Sequence, residues 1–473
     1  MAVRRALFLS SGSEIFNRLV NLLSVLLFAR LLSPNELGVF IIASSIMVLA
    51  SEVRMLGTNT YLISEAEISE QKVSNALGLS LIISWGLGII AVTLSPLVAS
   101  FYEQKELMYL VVILSGSFFF APFVSCTHAL LSREFSFGRL FFLTNVGPVI
   151  ALFVSVTLIN LDYSYYSLAV GQTLGYLVDL LIGRVLKPKS MSWKPKFDRL
   201  KSVARVGIYT SLINMFTRFE STIPDLILGK LASTSFVAFF SRALGLHLFI
   251  QELLCNGISK IALPYISEQK RADKCMKDTY KNASEMTLGF ILPPAICATI
   301  AAETLIMFLF GDQWGASVGL AKVLGVWIVL KTLTYFAIPT LITNRAEKEL
   351  FYSRAITLGF LIVAIVFCVA MEPRYISLAF VATGIIDYIL ISWLLYKQIH
   401  LNPFDYLFSI KKTLFISLIC SSVTLFISQF NEHFDNYMML GIYLVVLVPT
   451  WLIMLLLVKH PLALQIKSLI LQR

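Results

Sequence analysis

Two arginines, Arg18 and Arg218, fall in the middle of apolar stretches long enough to cross a bilayer. An ionised side chain at the bilayer centre costs roughly 2.5 to 3.5 kcal/mol on insertion scales, so it is placed on a cavity or against a partner. Around Arg18, the residues Ser10, Glu14, Asn17, Asn21 and Ser24 recur at steps of three and four, which is one face of a helix. Arg18 lies on that face, one turn after Glu14. Thr210, Asn214, Thr217, Arg218 and Ser221 repeat the pattern exactly 200 positions later, apart from substitutions among polar types. Two such stripes facing each other across a two-fold axis are expected to line a water-filled cavity. In the structural alternative, Glu14 and Arg18 form an i,i+4 pair and the amides and hydroxyls only tie helices together. That alternative is weaker for Arg218, whose i−4 neighbour is Asn214.

Guanidinium forks bind phosphate oxygens bidentately and never lose their charge. Arg54 and Arg242 are further intramembrane arginines, and Lys260 shares a helix face with Arg242 five turns on. Arg18, Arg54, Arg218 and Arg242 are therefore the candidate set for an anionic cargo, for which a diphosphate head group is suited. Glu14, Asn17, Asn21, Asn214 and Thr217 are the expected polar lining, able to meet sugar hydroxyls. Glu52, Asp179, Glu220, Asp225, Glu252, Glu303 and Asp387 also fall within spans. Each is a candidate for a coupling H+ or Na+ or for an arginine partner, and Asp179 and Asp387 are candidates for pinning the ends of a repeat. No phosphate-binding glycine motif is present, so energy must come from a gradient, and no cofactor or metal is expected. The six cysteines are scattered without a CxxC and read as small core residues.

The elements that must position these residues are membrane helices. The chain is 57% apolar and 14% charged, far from soluble proportions. Stretches of about 20 apolar residues fall near 7–31, 37–62, 76–101, 107–131, 140–160, 165–186, 206–230, 236–264, 285–310, 317–342, 353–371, 376–397, 412–430 and 438–458. The fold class is thus all-α, with about fourteen transmembrane helices. With the amino terminus inside, cytoplasmic segments hold 27 of the 38 Lys and Arg residues and outer loops hold four, Arg30, Lys105, Lys230 and Arg374. That asymmetry places both termini in the cytoplasm and makes the net charge of +10 an orientation signal, not a sign of nucleic-acid binding. The 200-residue shift also pairs Arg30-Leu31 with Lys230-Leu231 and Glu52 with Glu252. Later it drifts to 208, pairing Asp179 with Asp387. Six helices separate equivalent positions, so the repeat axis runs along the membrane normal. The expected organisation is a six-helix lobe over 1–186, a basic cytoplasmic linker over 187–205, a second lobe over 206–397 and two extra helices within 412–458.

The stretches ARLLSPNELGVF (Ala29 to Phe40), ALLSREFSFGRL (Ala129 to Leu140), FFSRALGL (Phe239 to Leu246), LPYIS (Leu263 to Ser267) and FGDQWG (Phe310 to Gly315) resemble Wzx-type polysaccharide and O-antigen flippases. In particular, they resemble the colanic-acid-exporter-like branch of the multidrug/oligosaccharidyl-lipid/polysaccharide exporter superfamily. The resemblance implies a V-shaped pair of six-helix lobes that alternates between inward-open and outward-open states in a bacterial inner membrane. It implies an undecaprenyl-diphosphate-linked oligosaccharide as cargo, handed on to a polymerase and chain-length machinery. Related lipid II flippases carry cavity arginines on helices 1, 2 and 8, the helices of Arg18, Arg54 and Arg242. A multidrug extruder of the same superfamily is the alternative, although such proteins take cationic drugs through acidic pockets. A membrane polysaccharide polymerase is another, although no outer loop here exceeds about ten residues, too short for an enzyme's glycan-handling loop.

Overall fold

The structure, a computed structural model, describes residues 2–54, 58–65, 67–188, 191, 193–198, 208–431 and 433–463. The side chains of 2–11, 59, 60, 64, 208–211, 213, 214, 256, 257, 259 and 260 are not described. Among the described residues the secondary structure is helical throughout.

Seven long helices precede the middle of the chain: α1 (Ala2–Leu31), α2 (Pro34–Arg54), α3 (Glu70–Tyr102), α4 (Glu106–Arg133), α5 (Phe137–Ile159), α6 (Tyr166–Leu186) and α7 (Ile208–Leu231). Seven follow: α8 (Thr234–Arg271), α9 (Met276–Ile300), α10 (Ala316–Leu333), α11 (Glu347–Met371), α12 (Ile376–Ile399), α13 (Lys411–Ser428) and α14 (Asn436–Leu457). Short helices add a turn or two at the ends of several expected spans. Thr58–Ser64 continues beyond α2, Ala302–Phe310 beyond α9 and Ala337–Thr343 beyond α10.

Twelve of the long helices are long and apolar enough to cross a membrane, so the chain is a multi-pass membrane protein. The other two are α1 and α7, with 30 and 24 residues. At 1.5 Å per residue both exceed the hydrocarbon thickness of about 30 Å. Both carry the polar stripes that contain Arg18 and Arg218.

Contacts divide the chain into two units, Met1–Ala238 and Phe239–Arg473. In the first, α5 packs on α6, α3 and α6 on α4, α1 on α5, and α7 on α2. In the second, α12 packs on α10 and α11, while α9 packs on α10 and α13, with α14 against α13. Helix α2 begins with a capping box, in which the Ser33 N–H and hydroxyl donate to Glu36 Oε2 at 2.8 and 2.7 Å.

Proline shapes both units by one physical rule. A proline inside a helix removes the N–H that would serve the carbonyl four residues earlier, and in lipid that carbonyl must find another donor. Pro96 frees Val92 O, which accepts from Ser95 Oγ at 2.8 Å. Pro122 frees Phe118 O, which accepts from Ser84 Oγ of α3 at 2.6 Å. Pro148 frees Thr144 O, which accepts from Asn17 Nδ2 of α1 at 2.9 Å. Pro293 frees Gly289 O, which accepts from Trp451 Nε1 of α14 at 2.9 Å. Three of these four repairs join two helices, so each break becomes a joint.

Candidate functional site

The polar stripe of α1 is divided between two tasks. Ser13 and Asn17 turn to α5: Asn17 serves the Thr144 carbonyl, and Asn145 Nδ2 donates to Ser13 Oγ at 2.6 Å. Here the tying role expected of amides wins, because Pro148 creates an acceptor that water cannot reach. Asn21 is exposed and donates back to Asn17 Oδ1 at 2.7 Å, which leaves its carbonyl oxygen outward. Glu14 and Arg18 are half-buried on the same helix. Ser24 is bonded to its own helix at Val20 O.

Arg218, midway along α7, is 67% exposed, and its Nε lies 3.7 Å from Glu52 Oε1 on α2. Thr217 beside it is also exposed. Asn214 lies outside the described side chains, as do Ser10, Tyr209, Thr210 and Lys260. Arg54, two residues beyond Glu52, is only 8% exposed. It is within electrostatic reach of Tyr176 on α6 and Cys126 on α4 as well as Glu52. Arg54 is therefore held inside the first unit and does not snorkel, whereas Arg218 presents its charge outward.

The α2–α7 contact that places Arg218 runs antiparallel along most of both helices. Ser45 Oγ donates to Asp225 Oδ2 at 3.1 Å, and Tyr102 of α3 donates to Leu226 O at 3.2 Å. Beyond them Lys230 meets Glu103 at 2.8 Å, and Thr234 Oγ1 donates to Asn35 Oδ1. Asp225, one of the carboxylates read as a coupling-ion candidate, is 7% exposed and accepts from Ser45.

In the second unit Arg242 has its guanidinium carbon 5.8 Å from the Phe310 ring centre and 5.7 Å from that of Trp314. Trp314 is fully buried and belongs to the FGDQWG stretch, so these rings fix the cation's place. Glu52 is the residue that sequence reasoning left out of the site. Its signal was available in the match of Glu52 to Glu252 across the repeat and in its position two residues before Arg54.

Within the first unit the arrangement offers one outward guanidinium lightly held by a carboxylate, one half-buried guanidinium on α1 and one guanidinium held inside. Such a set can exchange its carboxylate for a phosphate anion.

Residues 27–319 match the family model described as polysaccharide biosynthesis protein. The chain is 22% identical over 406 residues to the teichuronic acid biosynthesis protein TuaB of Bacillus subtilis (strain 168), covering 82% of this chain and 81% of that protein. It is likewise 22% identical over 414 residues to the lipopolysaccharide biosynthesis protein WzxC of Escherichia coli (strain K12), covering 84% and 82%. Among solved structures, the lipid II flippase MurJ in an inward closed conformation has a TM-score of 0.77 at 16% identity, covering 94% of this chain and 98% of that one. An inward-facing multidrug resistance MATE family transporter of the MOP superfamily has a TM-score of 0.63 at 15% identity, covering 84% and 94%. At these identities the two structures establish a shared fold.

Proposed function

Because the chain belongs to the polysaccharide biosynthesis protein family, and its Wzx-type resemblance extends to the relatives it matches, we propose that it flips a lipid-linked oligosaccharide. The cargo is a polyprenyl-diphosphate-linked repeat unit, moved from the cytoplasmic to the outer leaflet of a bacterial inner membrane by alternating access, for surface polysaccharide biosynthesis. The chain acts as a transporter and not as an enzyme. In this reading α1 and α7 also span the membrane, giving fourteen spans with both termini cytoplasmic.

The observation that carries the proposal is Arg218, charged, mid-helix, 67% exposed and tied only loosely to Glu52. A guanidinium held that way in a membrane helix favours an anion, not the cations an extruder of organic cations takes. Arg218 and Arg18 engage the diphosphate, with Arg54 behind them adding positive potential. Arg242 is a separate contact for an anionic sugar in the second unit. Asn21 and Thr217 meet sugar hydroxyls, and the polyprenyl tail stays in lipid. The MATE and MurJ folds are alike, so fold does not choose between drug and glycan. Family membership and the exposed arginine favour the glycan.

Complementation tests this. The gene is deleted in its host, wild type, Arg18→Ala, Arg218→Ala or Arg18→Lys is supplied, and lipid-linked repeat units are assayed in spheroplasts. The expected result is that single units accumulate on the cytoplasmic side in the deletion, and that the alanine variants reproduce this at normal protein level. If single units reach the outer face but remain unpolymerised, the protein is a polymerase and the proposal fails.

A further inference from the structure

The two halves of the chain place an aspartate at equivalent positions and neutralise it in different ways. The 208-residue shift pairs Asp179 on α6 with Asp387 on α12. In the second unit, Arg354 Nη1 donates to both carboxylate oxygens of Asp387, at 2.9 and 3.0 Å. Thr357 Oγ1 adds a contact at 3.4 Å, and the paired side chains are 11% and 3% exposed. Losing either charge there would strand the other in a dry place.

In the first unit, Asp179 has a backbone N–H where Asp387 has a guanidinium. Asp179 instead accepts the N–H of Gly147, at 3.1 Å to Oδ1. The approach requires glycine: a Cβ on residue 147 would stand 2.2 Å from that oxygen. Other ionisable groups on the helices packed against α6 are accounted for elsewhere. On α4, Glu106 lies in the first turn and Arg133 in the last, and Arg133 donates to the carbonyls of Leu62 and Ile63. Cys126 of α4 is buried and His128 exposed. On α5, Arg139 is bonded to Glu134 and to Leu186 O, seven residues beyond Asp179 and about 10 Å along α6. On α2, Arg54 is within reach of Tyr176 on α6 itself. Arg184, also on α6, is exposed in its last turn.

A carboxylate in an apolar span with a backbone N–H for support is not compensated for desolvation, and the cheapest way to remove its charge is to bind a proton. The turn it touches is also the Pro148 joint. Gly147 precedes that proline, and Thr144, whose carbonyl the proline frees, holds Asn17, the residue before Arg18. We propose that Asp179 is a reversible proton-binding site whose occupancy acts through the Gly147–Pro148 turn on α1 and so on Arg18. Its use in driving export rests on the flippase reading; the proton site itself does not. A sodium ion would need several oxygen ligands, and a carboxylate supported by a backbone N–H is suited to a proton instead.

The test is infrared difference spectroscopy of the full chain in lipid nanodiscs, titrated between about pH 5 and 9. Wild type should show a protonated-carboxyl C=O band that titrates in this range, and Asp179→Asn, which keeps an oxygen acceptor for Gly147, should lose the whole of it. Asp179→Glu should keep the band and move its midpoint, which preserves the test if the asparagine variant folds poorly. Spectra of wild type and Asp179→Asn that superimpose across the titration overturn the proposal, as does a band that follows sodium concentration at fixed pH. No substrate is needed, so a failed flippase assay with a positive spectrum refutes the transport reading alone.

Discussion

Arg218 Nε and Glu52 Oε1 stand 3.7 Å apart, with the guanidinium 67% and the carboxylate 19% exposed. A charge-assisted hydrogen bond between such groups closes to about 2.7 to 2.9 Å, so this pair is in loose contact. Pairs of this kind are worth about 1 kcal/mol or less. A diphosphate, offering several oxygens to the planar fork, can therefore displace the carboxylate. Removing the competitor with Glu52→Gln should tighten binding of inorganic pyrophosphate to the purified protein by about two- to fivefold. Arg218→Ala should weaken it by about tenfold or more. Titration calorimetry on both variants checks this, and an affinity unmoved by Arg218→Ala removes that residue from the site.

Where α2 meets the start of α8, the packing closes on Gly38. A Cβ at that position would lie 1.8 Å from the carbonyl oxygen of Thr234, a backbone atom that cannot swing aside. Gly38→Ala is expected to cost about 1 to 3 kcal/mol through overpacking and to lower the melting temperature in detergent. Gly319→Ala is the control: an added methyl there meets nothing within 4 Å, and replacing a helical glycine should leave stability unchanged or raise it by about 0.5 to 1 kcal/mol. Equal melting temperatures for the two variants would mean that α2 and the start of α8 are not in this close contact.

The Pro148 joint can be examined by a double-mutant cycle. Asn17→Ala alone strands the Thr144 carbonyl, at about 1 to 3 kcal/mol. Pro148→Ala returns the missing N–H to α5 and lets the helix serve that carbonyl itself. In the Pro148→Ala background, Asn17→Ala should therefore cost less than about 0.5 kcal/mol. Stability from denaturant unfolding in mixed micelles supplies the four corners, and purely additive costs would show that the amide is not repairing the proline break.

The same joint shows what the chain made legible in advance. Hydropathy located the apolar helices, and period-3.6 spacing put Asn17, Arg18 and Asn21 on one face of α1. Spacing along one helix cannot say whether a polar face meets water or another helix. Asn17 serves a carbonyl 127 positions away, freed by a proline on a different element. Arg54 was read as an intramembrane arginine, but position along a helix does not give direction around it, and the side chain is 8% exposed. Asp179 and Asp387 were matched by the repeat. Their difference in chemistry depends on Gly147 and Arg354, on neighbouring helices, and emerges only once those helices are packed. Glu52 read as a candidate for a coupling ion or for an arginine partner, and that partner, Arg218, lies more than 160 positions on.

Stability at the end of α14 should depend on pH through His460. The ring is fully buried, its Nδ1 accepts the Leu462 N–H at 3.2 Å, and its Nε2 faces Thr413 Oγ1 at 3.0 Å. With Nδ1 accepting, Nε2 carries the proton and donates to the threonine. Burial, reinforced by the nearby Lys412 charge, pushes the imidazole down to about 4 from the 6.5 of a free histidine. The folded state thus favours the neutral ring. Its contribution is complete above about pH 6.5, where the unfolded histidine is also neutral, and is lost progressively as pH falls toward 4. A second proton would sit on Nδ1 and displace the Leu462 N–H, undoing the turn that follows α14. Wild type should therefore melt at a lower temperature at pH 5 than at pH 7. His460→Gln, less stable at pH 7 for want of the ring, should show a flatter dependence over the same interval. Differential scanning fluorimetry at matched ionic strength measures both slopes, and parallel slopes would assign the pH dependence to groups other than His460.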